Sequence, residues 1–299
     1  MRRILLILLL APCALLHVHA YDFEVNGICY GFAPPRYAYV THHGEWAGEA
    51  TDRTYSGNLV VPSEISYNGR TYTVTSVGEN AFAGCDELVS VQFPSTIRAV
   101  SSCAFLGCTN LQQVSLPATI LAFGGFAFTG CTSLQQITLP RHTELVDSLT
   151  FYCCSSLTSV VLPHRIRTVC QGAMEHLPEM TDLYCFSSIP PVAEQGAFTL
   201  SDQQNCTLHV PAEAINLYQQ SPVWSNFYRI VALSDENYTS QNYQRGDIND
   251  DGRIDAEDLA LLRKLIVCLS DNVSVRWAAD INGDGVVNAI DYVTLAKRI

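Results

Sequence analysis

Residues 81–94 read A-F-A-G-C-D-E-L-V-S-V-Q-F-P, and this pattern returns at a fixed interval. Ala81-Phe82-Ala83-Gly84-Cys85 recurs as Ala104-Phe105-Leu106-Gly107-Cys108 and as Ala127-Phe128-Thr129-Gly130-Cys131. It then wears down to Thr150-Phe151-Tyr152-Cys153-Cys154 and to Ala173-Met174. The Phe/Met positions are 23 residues apart each time. A period of this size marks coils that stack along one axis, because a single coil cannot bury its own apolar face.

Each copy continues alike. Cys85 is followed by Leu88, Val91, Phe93 and Pro94, and Cys108 by Leu111, Val114, Leu116 and Pro117. The third copy gives Leu134, Ile137, Leu139 and Pro140, the fourth Leu157, Val160, Leu162 and Pro163. The L-x-x-V-x-L portion reads as a short strand with alternate residues inward. The proline ends it by removing a backbone donor. A second apolar pair, such as Ile97 and Val100 or Ile166 and Val169, closes the coil. The outward positions are Val89, Ser90, Gln92, Gln112, Gln113, Ser115, Gln135, Gln136, Thr138, Thr158, Ser159 and Val161. They form a polar, uncharged stripe, which is either a binding face or a merely solvated one.

The A-F-x-G-C-x-x-L-x-x-V-x-L-P signature resembles the BspA-type leucine-rich-repeat family of bacterial surface and secreted proteins, over about residues 21–233. That resemblance implies a mainly β leucine-rich-repeat solenoid over 71–233, behind a β-rich N-terminal cap over 21–70. Ile189-Pro190-Pro191, Leu208 to Pro211, Trp224, Phe227 and Ile230 are similar to the family's C-terminal ending.

Cys85, Cys108, Cys131 and Cys154 share one repeat position and form an inward column. They read as small buried hydrophobes, although pairing along the column is geometrically open. Cys153 and Cys154 face opposite sides of one turn. Of twelve cysteines, Cys13 lies in a leader, and the odd remainder leaves at least one thiol free or paired between chains.

The sharpest chemistry is C-terminal. Residues 247–258 read D-I-N-D-D-G-R-I-D-A-E-D and residues 280–291 read D-I-N-G-D-G-V-V-N-A-I-D. Both place oxygen donors at loop positions 1, 3, 5, 9 and 12, glycine at 6 and an apolar residue at 8, the template of a calcium loop. The first set is Asp247, Asn249, Asp251, Asp255 and Asp258, with the Arg253 carbonyl at position 7. The second is Asp280, Asn282, Asp284, Asn288 and Asp291, with the Val286 carbonyl. Gly252 and Gly285 permit the sharp turn. A helix follows each loop, carrying Leu259, Leu262, Leu265, Ile266 and Leu269 after the first and Tyr292, Val293 and Leu295 after the second.

Two loop–helix units offset by 33 residues resemble a type I dockerin module over 246–299. The resemblance implies two calcium ions, a small α-helical domain that calcium folds, and a cohesin module on the partner. It also implies that recognition uses loop positions 10 and 11 and the following helix. Here those are Ala256 and Glu257, Ala289 and Ile290, with Arg263, Lys264 and Lys297. A hydroxyl pair is frequent at 10 and 11 in that family and is missing here, which leaves the particular cohesin open. The polar stretch 234–245 reads as a linker that lets the two parts move independently.

Arg2 and Arg3, the apolar run Ile4 to Leu16 and the small residue Ala20 form a signal peptide over 1–20. The mature chain then begins at Tyr21, with lipidation at Cys13 as the alternative. With 17 basic against 29 acidic side chains and a net charge of −12, the chain lacks the clustered Lys and Arg that a nucleic-acid partner needs. No H-E-x-x-H, G-x-S-x-G or phosphate loop occurs. The expectation is a secreted or cell-surface scaffold protein, not an enzyme. Its dockerin binds a cohesin-bearing partner and its solenoid binds protein or glycan, and by analogy the expected setting is a polysaccharide-degrading assembly. The alternative is a free host-directed adhesin whose calcium module is a stabilising tail.

Overall fold

The computed structural model describes residues 21–42, 55–240, 244–248, 253–268, 276–284 and 286–299. The expected leader, with Cys13, lies outside the described residues, as do Asn249, Asp251, Gly252, Leu269 and Gly285.

The chain opens with three antiparallel strands, β1 (Phe23–Val25), β2 (Ile28–Ala33) and β3 (Tyr37–Thr41). β4 (Gly57–Val60) begins the first solenoid sheet, while β5 (Glu64–Tyr67) and β6 (Arg70–Val77) form a hairpin. β6 pairs with β3 on one side and passes the sheet to the coils on the other.

From there the coils stack in parallel. The longer face is built by β7 (Leu88–Gln92), β9 (Gln113–Ser115), β11 (Gln136–Thr138), β13 (Ser159–Leu162), β15 (Asp182–Cys185), β17 (Thr207–Val210) and β18 (Arg229–Ala232). A second face carries β8 (Ala99–Val100), β10 (Ala122–Phe123), β12 (Leu145–Val146), β14 (Thr168–Val169) and β16 (Val192–Ala193). The register restates the sequence period: Ser90 pairs with Gln113, Gln136 with Ser159, Ser159 with Asp182, and Ala99 with Ala122. The fold is a β-solenoid.

The motif phenylalanines explain the stacking. Phe82, Phe105, Phe128 and Phe151 are fully buried, and their rings lie nearly parallel at centroid separations of 4.9, 5.1 and 5.7 Å. Met174 continues the column. The neighbouring alanines Ala81, Ala104, Ala127 and Ala173 leave room for each ring. The cysteine column is buried beside it as free thiols. Cys108 Sγ donates to the Phe82 carbonyl at 3.0 Å, Cys131 to Phe105 at 3.2 Å and Cys154 to Phe128 at 3.1 Å. Burial pushes the Cys154 thiol up to about 12, so it stays protonated and a poor nucleophile. Cys153, by contrast, is only half-buried.

The motif glycine has a backbone reason. Gly84, Gly107 and Gly130 all adopt left-handed φ near 72°, and Cys153 and His176 take the same conformation at the equivalent position of worn repeats. An L side chain in this conformation brings its Cβ too close to the following carbonyl. The inward strand positions pack as the alternation predicts, except that Val114 and Leu116 are half-buried and line a surface groove.

At the far end, α1 (Leu200–Gln203) and α2 (Ile215–Gln220) lead to a cap in which Trp224 is fully buried, its Nε1 donating to the Pro191 carbonyl at 2.8 Å. The stretch that reads as a linker contains a short helix, α3 (Asp235–Ser240). Ser234 Oγ and its amide bond to Asn237 Oδ1, which closes the helix start without any apolar periodicity. The C-terminal module has α4 (Ala256–Cys268), α5 (Arg276–Ala279) and α6 (Ala289–Ala296) around Ile248, Leu262, Ala279, Ile281 and Leu295. Among the described residues no helix is long and apolar enough to cross a membrane.

Two stability outcomes follow from this core. Phe128→Ala should cost about 3–5 kcal/mol, since the stacked column prevents collapse onto the hole. Gly107→Ala should cost about 1 kcal/mol although no atom crowds the new Cβ, because the penalty lies in φ. Denaturant titration checks both. A third outcome concerns pH. His164 is buried, and burial with the nearby Arg165 lowers its pKa from 6.5 to about 3. The unfolded chain therefore takes up a proton that the folded chain refuses. This contribution to stability is complete above about pH 6.5 and is lost progressively as pH falls toward 3. His164→Gln should flatten the pH dependence of unfolding across that window.

Candidate functional site

The second loop shows how this sequence builds its site. Asp291 is fully buried in the first turn of α6. Its Oδ1 accepts from the Ile281 amide at 2.8 Å and the Asn282 amide at 3.3 Å, and its Oδ2 from the Asn288 amide at 2.8 Å. Asn288 caps the same helix, its Oδ1 accepting from the Ile290 amide at 2.7 Å. The two side chains form a capping box that fixes the loop exit to the helix start.

The first loop repeats this arrangement. Asp258 is fully buried and accepts from the Ile248 amide at 2.6 Å and from the Asp255 amide at 2.8 Å. Asp255 Oδ1 accepts from the Glu257 amide at 2.8 Å. Loop positions 2 and 9 thus close on position 12 in both halves.

At the other end of the second loop, Asp280 Oδ1 accepts from the amides of Gly283 at 2.9 Å and Asp284 at 3.1 Å. Asn282 and Asp284 are exposed and bonded to each other through the Asn282 amide at 2.8 Å. The Val286 carbonyl accepts from Asn288 Nδ2 at 3.2 Å. The proposed second set, Asp280, Asn282, Asp284, Val286, Asn288 and Asp291, therefore occupies one tight loop. In the first loop Asp247, Arg253, Asp255 and Asp258 are described, while Asn249 and Asp251 fall outside the described residues.

The donor set suits a hard divalent cation. Each loop buries two aspartates, Asp247 with Asp258 and Asp280 with Asp291. Backbone amides hydrogen-bond Asp258, Asp280 and Asp291, Arg141 and Arg245 lie beside Asp247 and Asp280, and a cation held in each loop would offset the cost of burying so much negative charge. Oxygen donors of this kind match calcium rather than zinc. Among the described residues no three His, Cys, Asp or Glu side chains already converge as a metal cluster. The second loop explains this locally: carboxylates alternate with asparagines and a carbonyl, and Asp284 points to solvent.

The residues that the resemblance assigns to partner contact are all exposed: Ala256, Glu257, Arg263, Lys264, Ala289, Ile290 and Lys297. Val293 is exposed as well, one turn after Ile290, rather than packed in the module core. α6 thus presents two adjacent apolar side chains to solvent. Sequence reasoning named Ile290 as a contact residue and counted Val293 only among the apolar residues of the helix, without assigning it to this surface.

On the solenoid, the polar stripe remains accessible. Gln112, Gln113, Ser115, Gln135, Gln136 and Thr138 are exposed, whereas Val89, Ser90, Thr158, Ser159 and Val161 are half-buried and Gln92 is exposed. A groove of about 610 Å³ runs along the middle coils between the glutamine rows and Arg141.

Comparison with known proteins agrees with this architecture. Residues 69–203 match the BspA type leucine rich repeat region in six copies, and residues 245–299 match the dockerin type I domain. No curated protein matches the chain. Among solved structures it is similar to a leucine-rich repeat protein of T. pallidum, at 22% identity and TM-score 0.47, covering 82% of this chain and 95% of that one. It is also similar to a leucine-rich repeat protein from Bacteroides ovatus, at 15% identity and TM-score 0.37, covering 71% and 77%. A leucine rich cell surface protein from Faecalibacterium prausnitzii is similar at 12% identity and TM-score 0.36, covering 73% and 96%. Both matched regions are non-catalytic binding modules of typically extracellular or cell-surface bacterial proteins, and type I dockerins bind calcium and dock to cohesins. The chain carries a BspA-type leucine-rich repeat region over residues 69–203 and a type I dockerin domain over residues 245–299.

Proposed function

We propose that the protein is a secreted scaffold or adhesion subunit with two separate binding ends. The dockerin holds two calcium ions, one in each loop, and docks to a cohesin-bearing partner. The solenoid presents its glutamine- and threonine-rich face to a protein or glycan. By analogy of fold alone, an assembly that degrades polysaccharides is a suitable setting. The observation that carries this reading is the repeated closure of each loop on a buried position-12 aspartate, Asp258 in one and Asp291 in the other. Burying a carboxylate is costly, and a cation held by each loop would offset that cost at both places.

Asp247, Asn249, Asp251, Arg253, Asp255 and Asp258 are proposed to ligate the first ion, and Asp280, Asn282, Asp284, Val286, Asn288 and Asp291 the second. The partner surface is proposed to centre on Ile290, Val293 and Lys297, with Ala256, Glu257, Arg263 and Lys264 on the other half.

Calorimetric titration of the full chain should give two calcium ions per molecule, and Asp258→Ala or Asp291→Ala should each leave one. Loss of no site in either variant would remove the assignment. With calcium present, capture of a cohesin-like module by the full chain should weaken about thirtyfold in Ile290→Asp. Calcium stoichiometry should stay at two in that variant, which separates the docking face from the metal sites.

A further inference from the structure

The C-terminal module carries a tryptophan that its own core does not use. That core gathers Ile248, Leu262, Ala279, Ile281 and Leu295. Trp277, in α5, packs instead against Phe186 and Leu233 of the solenoid, with Val161 and Tyr184 completing the apolar contact. Phe186 and Leu233 are buried, yet they stand apart from the main solenoid core in a small cluster of their own. An indole supplies a large apolar area, provided that its N–H finds an acceptor. The acceptor here is Asp235 of α3, whose Oδ1 lies 3.0 Å from Trp277 Nε1. The same oxygen accepts from Arg245 Nη2 at 3.0 Å, and the Arg245 guanidinium lies 4.7 Å from the Trp277 ring centroid. The stretch that reads as a linker therefore closes the contact with its helix rather than spanning a gap.

Charge complementarity points the same way. Residues 247–258 hold six acidic side chains and one arginine, whereas residues 280–291 hold three acidic side chains. A divalent cation offsets only two of those charges, so the first loop stays acidic when it is loaded. It is this loop that meets the cationic corner of the solenoid: Arg141 Nη1 lies 3.9 Å from Asp247 Oδ2, with Arg165 and His142 beside it. A carboxylate that gives one oxygen to a cation keeps the other for a guanidinium. The face assigned above to the cohesin points elsewhere, since Arg263, Lys264, Ile290, Val293 and Lys297 are all exposed in this arrangement.

We propose that the dockerin has a second binding face, centred on Trp277, whose partner is the Phe186–Leu233 patch of its own solenoid, and that the calcium-folded module is seated there as a rigid extension of the repeats. The module has to be folded to present Trp277 from α5 and Asp247 from its first loop together. Calcium therefore makes the seat, and by linkage the seat tightens calcium binding. A cohesin on the open face then receives the solenoid in one fixed orientation. The ordering that a flexible tether would require on assembly has already been met by the contact within the chain.

The seat rests on the calcium reading above, and the two fail differently. Full chain in calcium and in chelator is compared by small-angle scattering, hydroxyl-radical footprinting and calcium calorimetry. In calcium the particle should be compact with Trp277 protected, and in chelator Trp277 should oxidise several-fold faster. Unfolding of the module alone also exposes the indole, so the variants decide. Trp277→Ala, outside the module core, should still take up two calcium ions and keep its helical circular dichroism. In calcium it should nevertheless show a larger radius of gyration, faster oxidation of Phe186 and several-fold weaker calcium binding. Arg141→Glu, which changes no residue of the module, should enlarge the calcium-loaded particle and speed Trp277 oxidation in the same way. Two bound ions with Trp277 fully accessible, or with scattering unchanged in both variants, overturns the seat and leaves the ligand assignment standing. Absence of calcium binding overturns the ligand assignment and the calcium dependence; in that sample a protected Trp277 keeps the contact and an accessible one removes it.

Discussion

Everything in this molecule depends on the contact between one coil and the next. Parallel strands bring successive backbones to about 4.8 Å, and every side chain must match its equivalent one coil away. Phe82, Phe105, Phe128 and Phe151 meet that condition by lying flat on one another. The thiols of Cys108, Cys131 and Cys154 meet it differently, each bonding a carbonyl of the coil before. A column of larger polar groups would need a partner at every level. A small weak donor satisfies one carbonyl per coil and costs little to bury.

The same constraint shapes the outer surface. With the interior given over to stacked apolar columns, strand residues on the other side are free to be polar, and they repeat with the coil. Rows of glutamine and threonine are spaced at the coil distance rather than at random. That regularity suits an extended ligand with a repeat of its own better than a compact one. Two irregularities interrupt the face. Val114 and Leu116 are only half-buried and open the larger groove, and Thr158, Ser159 and Val161 are half-covered where α3 and the dockerin approach.

How far the sequence could be read follows from which contacts are periodic. The solenoid was legible because its contacts repeat at the same separation as the motif, so Phe82 to Phe105 in the chain is also Phe82 to Phe105 in space. Both loops proposed to hold calcium stood out as candidates because their donors are local, within twelve residues. Loop closure on Asp258 and Asp291 was half-visible: the aspartates stood out, whereas their amide donors carry no sequence signal. Which of Tyr292, Val293 and Leu295 faces the core was not legible, because α6 is short and its apolar face is settled by where Leu295 packs. The helix α3 was missed because Ser234 and Asn237 start it by a local cap in a stretch with no apolar period. Trp277 gave no signal at all. Its partners Phe186 and Leu233 are distant in sequence and belong to no repeat of its own.

Charge is scarce in the solenoid, and scarcity gives the remaining charges weight. In a densely charged surface, Arg141 near Asp247 would be one exposed pair among many and worth little. Here Asp247 is buried, and the arginine facing it stands in a corner shared with Arg165 and His142. The neighbouring His164 is kept neutral by the same burial and the same guanidinium groups. A corner that refuses protons on its histidines is one in which added positive charge is already unfavourable. A cation at the first loop, as proposed above, would meet that environment directly. The electrostatics of that corner and those of the first loop are therefore one problem, joined where Arg141 faces Asp247.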